Sequence, residues 1–166
     1  MSKSLKKIKK QAYETGISDL IEWTHKKGYS IDFDYCVRDE LRPAGLHGIQ
    51  GIGDGSKFLV DLTVVDKIIT ISLRQGIEKQ LYSLLHECGH LILGNNEASY
   101  AKKYPSSTKM AYCNSNKKLE RSPQYKVDIL AEEIDAWRKG LELAKRLDIW
   151  IDEENYYKTM SKCVYT

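Results

Sequence analysis

The spacing of apolar and polar residues predicts a chain that is helical at both ends, with extended segments in its first half. From Ser4 to about Lys27, Ile8, Tyr13, Ile17, Leu20, Ile21 and Trp23 form an imperfect stripe of helical period. Gly16 is expected to divide this helix, with Ser18 capping its second part, and Gly28 to end it. Tyr29 to Tyr35 alternates apolar and polar side chains, the two-residue period of a half-buried strand. Pro43 to Gly55 reads as loop, because Gly45, Gly48, Gly51, Gly53 and Gly55 crowd into it. Its Gly51-x-Gly53 neither follows a strand nor opens a helix, so it is not read as a phosphate cradle. Phe58 to Val65 and Ile68 to Leu73 are rich in β-branched residues and separated by Asp66 and Lys67, which predicts a tight hairpin.

Gln75 to Leu93 predicts a strong helix stopped by Gly94, Asn95 and Asn96. Asn95 to Arg121 is polar, interrupted by Pro105, and reads as an irregular connection. Ser122 then offers a cap and Pro123 a first helical position for a long helix reaching about Leu147. Asp152 to Lys162 places acids before lysines, as a helix dipole favours. The expected class is α+β, one domain over residues 1–166, with an N-terminal helix and a small mixed sheet of three or more strands.

Composition narrows this picture only slightly. The chain has 166 residues, 42% hydrophobic and 30% charged, enough for one well-formed core. Its net charge of +3 is local: residues 1–10 hold five lysines and no acid, so the other 156 residues sum to −2. A nearly neutral body with a lysine-rich tail gives no reason to expect nucleic acid as a partner. No apolar run is long enough for a membrane helix, and no apolar segment follows the lysines as a secretory signal requires. Cys36, Cys88, Cys113 and Cys163 are scattered, which suits reduced thiols in the cytoplasm better than a disulfide framework.

The chemistry concentrates in His86-Glu87-Cys88-Gly89-His90. Histidines four apart on a helix project from one face and can ligate one Zn²⁺, and the glutamate beside the first is placed as general base toward a water there. A chance occurrence in a chain of this composition is about a 1% event. Leu81, Leu84, Leu85, Cys88, Leu91 and Ile92 share one face of the helix. The histidines lie roughly 160° from its centre, which aims them into a cleft while the apolar face packs on the sheet.

Zinc needs a third protein ligand. No histidine follows His90, and Asn96 stands where the metzincin histidine would fall, so a carboxylate is expected. The long helix offers Glu132, Glu133 and Asp135. Its apolar stripe reads as Val127, Leu130, Ile134, Trp137, Leu141 and Ala144. Glu133 lies roughly 70° from the centre of that stripe and Glu132 roughly 170° away, toward solvent. Glu133 is the better ligand, with Glu132 the alternative and Asp135 a candidate acceptor for a ligand's N–H.

His86-Glu87-x-x-His90 followed by Glu133-x-x-Ala136 resembles the gluzincin zinc metallopeptidases. Gly89, the following Leu91-Ile92-Leu93 and the Glu133-x-Asp135-Ala136 segment are most similar to ImmA/IrrE-type peptidases, and also to the small stand-alone zincins of bacteriophages. The chain departs from the ImmA/IrrE pattern at Asp135 and Trp137, and it lacks a recognisable helix-turn-helix. The resemblance implies a compact zincin-like domain with Zn²⁺ on His86, His90 and Glu133, and Glu87 as catalytic base. It further implies a protein or peptide substrate laid along an exposed edge strand. Tyr104, Tyr112 and His47 are candidates to stabilise the oxyanion. The alternative is a zincin-fold regulatory or binding module that keeps zinc without appreciable proteolysis; the intact Glu87 favours catalysis.

Overall fold

The computed structural model describes residues 3–35, 49–50, 68–112 and 117–164. Helix α1 (Lys3–Lys26) buries Tyr13, Ile17, Leu20 and Thr24, which recur every three or four residues on one face. It runs unbroken through Gly16, contrary to the expected division. A Cβ at residue 16 would lie 2.6 Å from Ile149 Cγ2, so the glycine admits a close crossing instead of a break. The lysines from Lys3 onward therefore lie on a helix, not on a tail, and Lys9 Nζ reaches Asp152 Oδ2 at 3.3 Å. Gly28 ends α1 at φ +79°, with its N–H on His25 O (2.9 Å) and that of Tyr29 on Thr24 O (3.0 Å). That bond pair with a left-handed residue is the Schellman stop.

Strands β1 (Ser30–Asp34), β2 (Ile49–Gln50) and β3 (Ile68–Ser72) are ordered β1-β3-β2. β1 runs parallel to β3 from Ser30 opposite Ile68 to Asp34 opposite Ser72, and the two residues of β2 run antiparallel on its other side. β3 is the buried centre, from Ile69 to Ser72, whereas β1 alternates as its sequence predicts. Phe58–Val65, the expected hairpin partner of Ile68–Leu73, lies outside the described residues, as does the glycine-rich loop apart from Ile49 and Gln50. The architecture is α+β and rich in helix.

Helix α2 (Ile77–Gly94) sets Leu81, Leu84, Leu85, Cys88 and Leu91 in the core beside α1 and β3. The stretch expected to be irregular is helical in three pieces: α3 (Glu97–Lys103), α4 (Pro105–Tyr112) and α5 (Lys117–Glu120). Asn96 caps α3 by accepting the Ser99 N–H at 2.9 Å. Pro105 begins α4, where its missing N–H costs nothing. The amino terminus of α4 is satisfied from a distance: Asp128 Oδ2 accepts from Ser106 N (2.6 Å) and Ser107 N (3.3 Å). The cap of α3 is local, but that of α4 is tertiary, and polar composition gave no sign of it.

Helix α6 (Pro123–Arg146) begins as expected, with Ser122 Oγ accepting the Tyr125 N–H at 3.2 Å. Asp148, at φ 55°, turns the chain out of it. Helix α7 (Glu153–Val164) closes over α6, and its buried Tyr156 hydroxyl donates to Trp137 O at 2.8 Å. No helix among the described residues is long and apolar enough to cross a membrane.

Candidate metal centre

The site is built where α2 and α6 cross nearly backbone to backbone. A Cβ on Gly89 would fall 1.9 Å from Ala136 O, and one on Gly140 would fall 2.4 Å from Leu85 O. Glycine and alanine therefore set which face of α6 is buried: Glu132, Glu133, Ala136, Trp137, Gly140, Leu141, Leu143 and Ala144. That face is rotated by roughly 85° from the expected stripe of large apolar residues, taking about 100° per residue. Val127 and Leu130, assigned to the stripe, are 63% and 41% exposed. Glu132, expected to face solvent, is only 5% exposed. Glu133 lies within about 15° of the centre of the true face, so it meets α2 directly and not from the edge of the stripe.

The histidine face of α2 is consequently covered by α6, not open as a wide cleft; His86 and His90 are 2% and 7% exposed. His86, His90 and Glu133 converge into a buried group that could hold a metal ion. The two Nε2 atoms are 3.2 Å apart, His86 Nε2 is 3.3 Å from Glu133 Oε2, and His90 Nε2 is 3.6 Å from Oε1. A tetrahedral ion with bonds of about 2.0–2.1 Å spaces its donors by about 3.3 Å. These side chains already stand near that spacing. Glu87 follows His86 on α2 and is buried beside the group.

Burial disfavours the charged form of both partners here, and hydrogen bonding outweighs it. Desolvation lowers the His90 pKa, but Glu132 and Glu133 push it up to about 10. Desolvation raises that of Glu133, but His86 and His90 hold it down at about 2. The carboxylates thus favour protonated His90, which must surrender its Nε2 proton to ligate. Metal uptake near neutral pH is expected to release a proton, and affinity to rise with pH. Chelator competition at several pH values measures this, and a pH-independent affinity would contradict it.

Two residues at the site have roles that the sequence alone did not reveal. Trp137, expected only as core, stacks on the His86 ring with centroids 4.6 Å apart and planes 24° off parallel. Glu132 places Oε1 3.5 Å from His90 Nδ1, on the side away from the convergence point. The small residues at 89, 136 and 140 were the available signal for both, since they mark the face of closest approach.

Other expectations change. Asp135 does not face a ligand; it accepts from Tyr104 Oη at 2.8 Å and pairs with Lys103 Nζ at 2.7 Å. Tyr104 is accordingly buried and engaged, which removes it as a free oxyanion donor. His47 and the Tyr112 side chain lie outside the described residues. No protein-family model matches the chain, and no curated protein or solved structure matches it either.

Proposed function

We propose that the chain is a zinc-dependent metallopeptidase of zincin-like fold, related to the gluzincins and to ImmA/IrrE-type peptidases, acting on a protein or peptide in the cytoplasm. The observation that carries the reading is the convergence of His86 Nε2, His90 Nε2 and the Glu133 carboxylate in a buried pocket beside Glu87. Two imidazoles and one carboxylate are a donor set typical of catalytic zinc, and three protein ligands leave a position free. Zinc held there supplies Lewis acidity that polarises the scissile carbonyl and acidifies a water. Glu87 would take a proton from the attacking water as the new C–O bond forms, and would deliver it to the departing amine as the peptide C–N bond of the tetrahedral adduct then breaks. Burial of the group under α6, with Trp137 stacked on the His86 ring, strengthens these charge interactions by excluding solvent. Cys88 and Cys163 are free thiols, in keeping with a reducing compartment.

The test is to incubate zinc-loaded protein with a proteome-derived peptide mixture and map new amino termini by mass spectrometry. Termini that disappear after chelation and return on adding zinc are the expected result. Termini indifferent to chelation, or none from the zinc-loaded protein, would overturn the reading.

A further inference from the structure

A buried carboxylate next to another is costly unless something holds it there. Glu132 is such a group: it is 5% exposed and adjoins Glu133, and its Oε2 has no hydrogen-bond partner among the described residues. Its Oε1 faces His90 Nδ1 at 3.5 Å, and the Tyr100 hydroxyl faces the same carboxylate from α3. The two nitrogens of an imidazole diverge, so a group on the Nδ1 side cannot share an ion with Nε2. Glu132 therefore serves the ring, not the ion. The separation is a few tenths of an ångström beyond an ordinary N–H···O bond, close enough to direct which nitrogen carries the proton.

We propose that Glu132 is the positioning residue for His90, holding its Nδ1–H so that the Nε2 lone pair is presented toward His86 and Glu133. This rests on the reading of His86, His90 and Glu133 as a metal centre. The two histidines are then oriented by different devices. His86 Nδ1 has no hydrogen-bond partner among the described residues, and its ring is fixed by stacking on Trp137. His90 lacks such a stack with Trp137 and relies on the carboxylate. Outer groups of this kind commonly contribute 10–100-fold to metal affinity.

The test compares wild type, Glu132→Gln, Glu132→Ala and Glu133→Gln by zinc competition against a chromophoric chelator. Circular dichroism and thermal melts of the metal-free proteins accompany it. Glu132→Ala is expected to bind about 10–100-fold more weakly without losing its fold, and Glu132→Gln, whose amide oxygen still accepts, to recover most of that loss. Glu133→Gln should be the weakest of the four. Nitrogen-15 correlation spectra of the zinc-loaded protein should show His90 protonated at Nδ1, with that proton shifted in Glu132→Gln and lost to exchange in Glu132→Ala. Wild-type affinity in Glu132→Ala, or an Nδ1–H signal that does not respond to the glutamine variant, would overturn the proposal. The glutamine spectrum decides the matter even if the alanine variant fails to fold. A wild type that binds no zinc, or a Glu133→Gln that binds as wild type, fails the metal centre itself and this proposal with it.

Discussion

Glu87→Gln is expected to leave the protein folded and metal-loaded while lowering peptide hydrolysis by about 10²–10⁴-fold, the usual contribution of a positioned general base. Glu87 shares the buried turn with His86 but is not one of the three converging ligands, so its replacement should not empty the centre. Glutamine has nearly the same shape and can occupy the same 8%-exposed position. What it cannot do is accept a proton from water and return it to the leaving amine. Cleavage assays paired with metal analysis on the same preparation separate the two properties. Undiminished cleavage would remove Glu87 as base, and loss of metal alongside activity would show that it helps hold the ion.

The second large effect is on stability. Gly89→Ala should destabilise the fold by roughly 2–4 kcal/mol, the severe end of overpacking, because the added methyl meets backbone and not a yielding side chain. The Cβ would stand 1.9 Å from Ala136 O and 2.7 Å from its carbonyl carbon, so α2 and α6 must move apart. Helix propensity alone predicts the opposite sign, since alanine exceeds glycine by about 1 kcal/mol in a helix interior. Urea denaturation of the metal-free protein gives the sign directly. Separation of the helices also draws Glu133 away from His86 and His90, so metal affinity should fall with stability. A variant as stable as wild type, or more so, would contradict the close crossing.

The parts of the fold that the sequence made legible are those governed by neighbours along the chain. The Gly28 stop, the Ser122 cap with Pro123 behind it, and the alternation of β1 all depend on residues within one turn or one pleat. The two histidines were legible for the same reason, because one helical turn sets their spacing. The errors fall where a distant segment decides. Gly16 looks like a breaker until Ile149 is seen against it. The α4 helix looks irregular until Asp128 is found at its amino terminus. Glu132 looks solvated because it lies opposite the large apolar side chains of its helix. Gly89, Ala136 and Gly140 in fact set the buried face, and small residues carry little weight in any count of hydrophobicity. The stripe of large apolar residues puts Glu133 at its edge, roughly 70° from the centre. Glu133 reaches the histidines because it lies near the centre of the true contact face.

The metal centre stands or falls on the metal content of each chain. Protein purified without chelator, exchanged into metal-free buffer and analysed by inductively coupled plasma mass spectrometry should contain about one zinc per chain, with the metal lost in His86→Ala, since the ion needs all three converging side chains. A wild type that takes up no zinc even when supplied with it, or stoichiometric zinc that survives His86→Ala, would contradict the account.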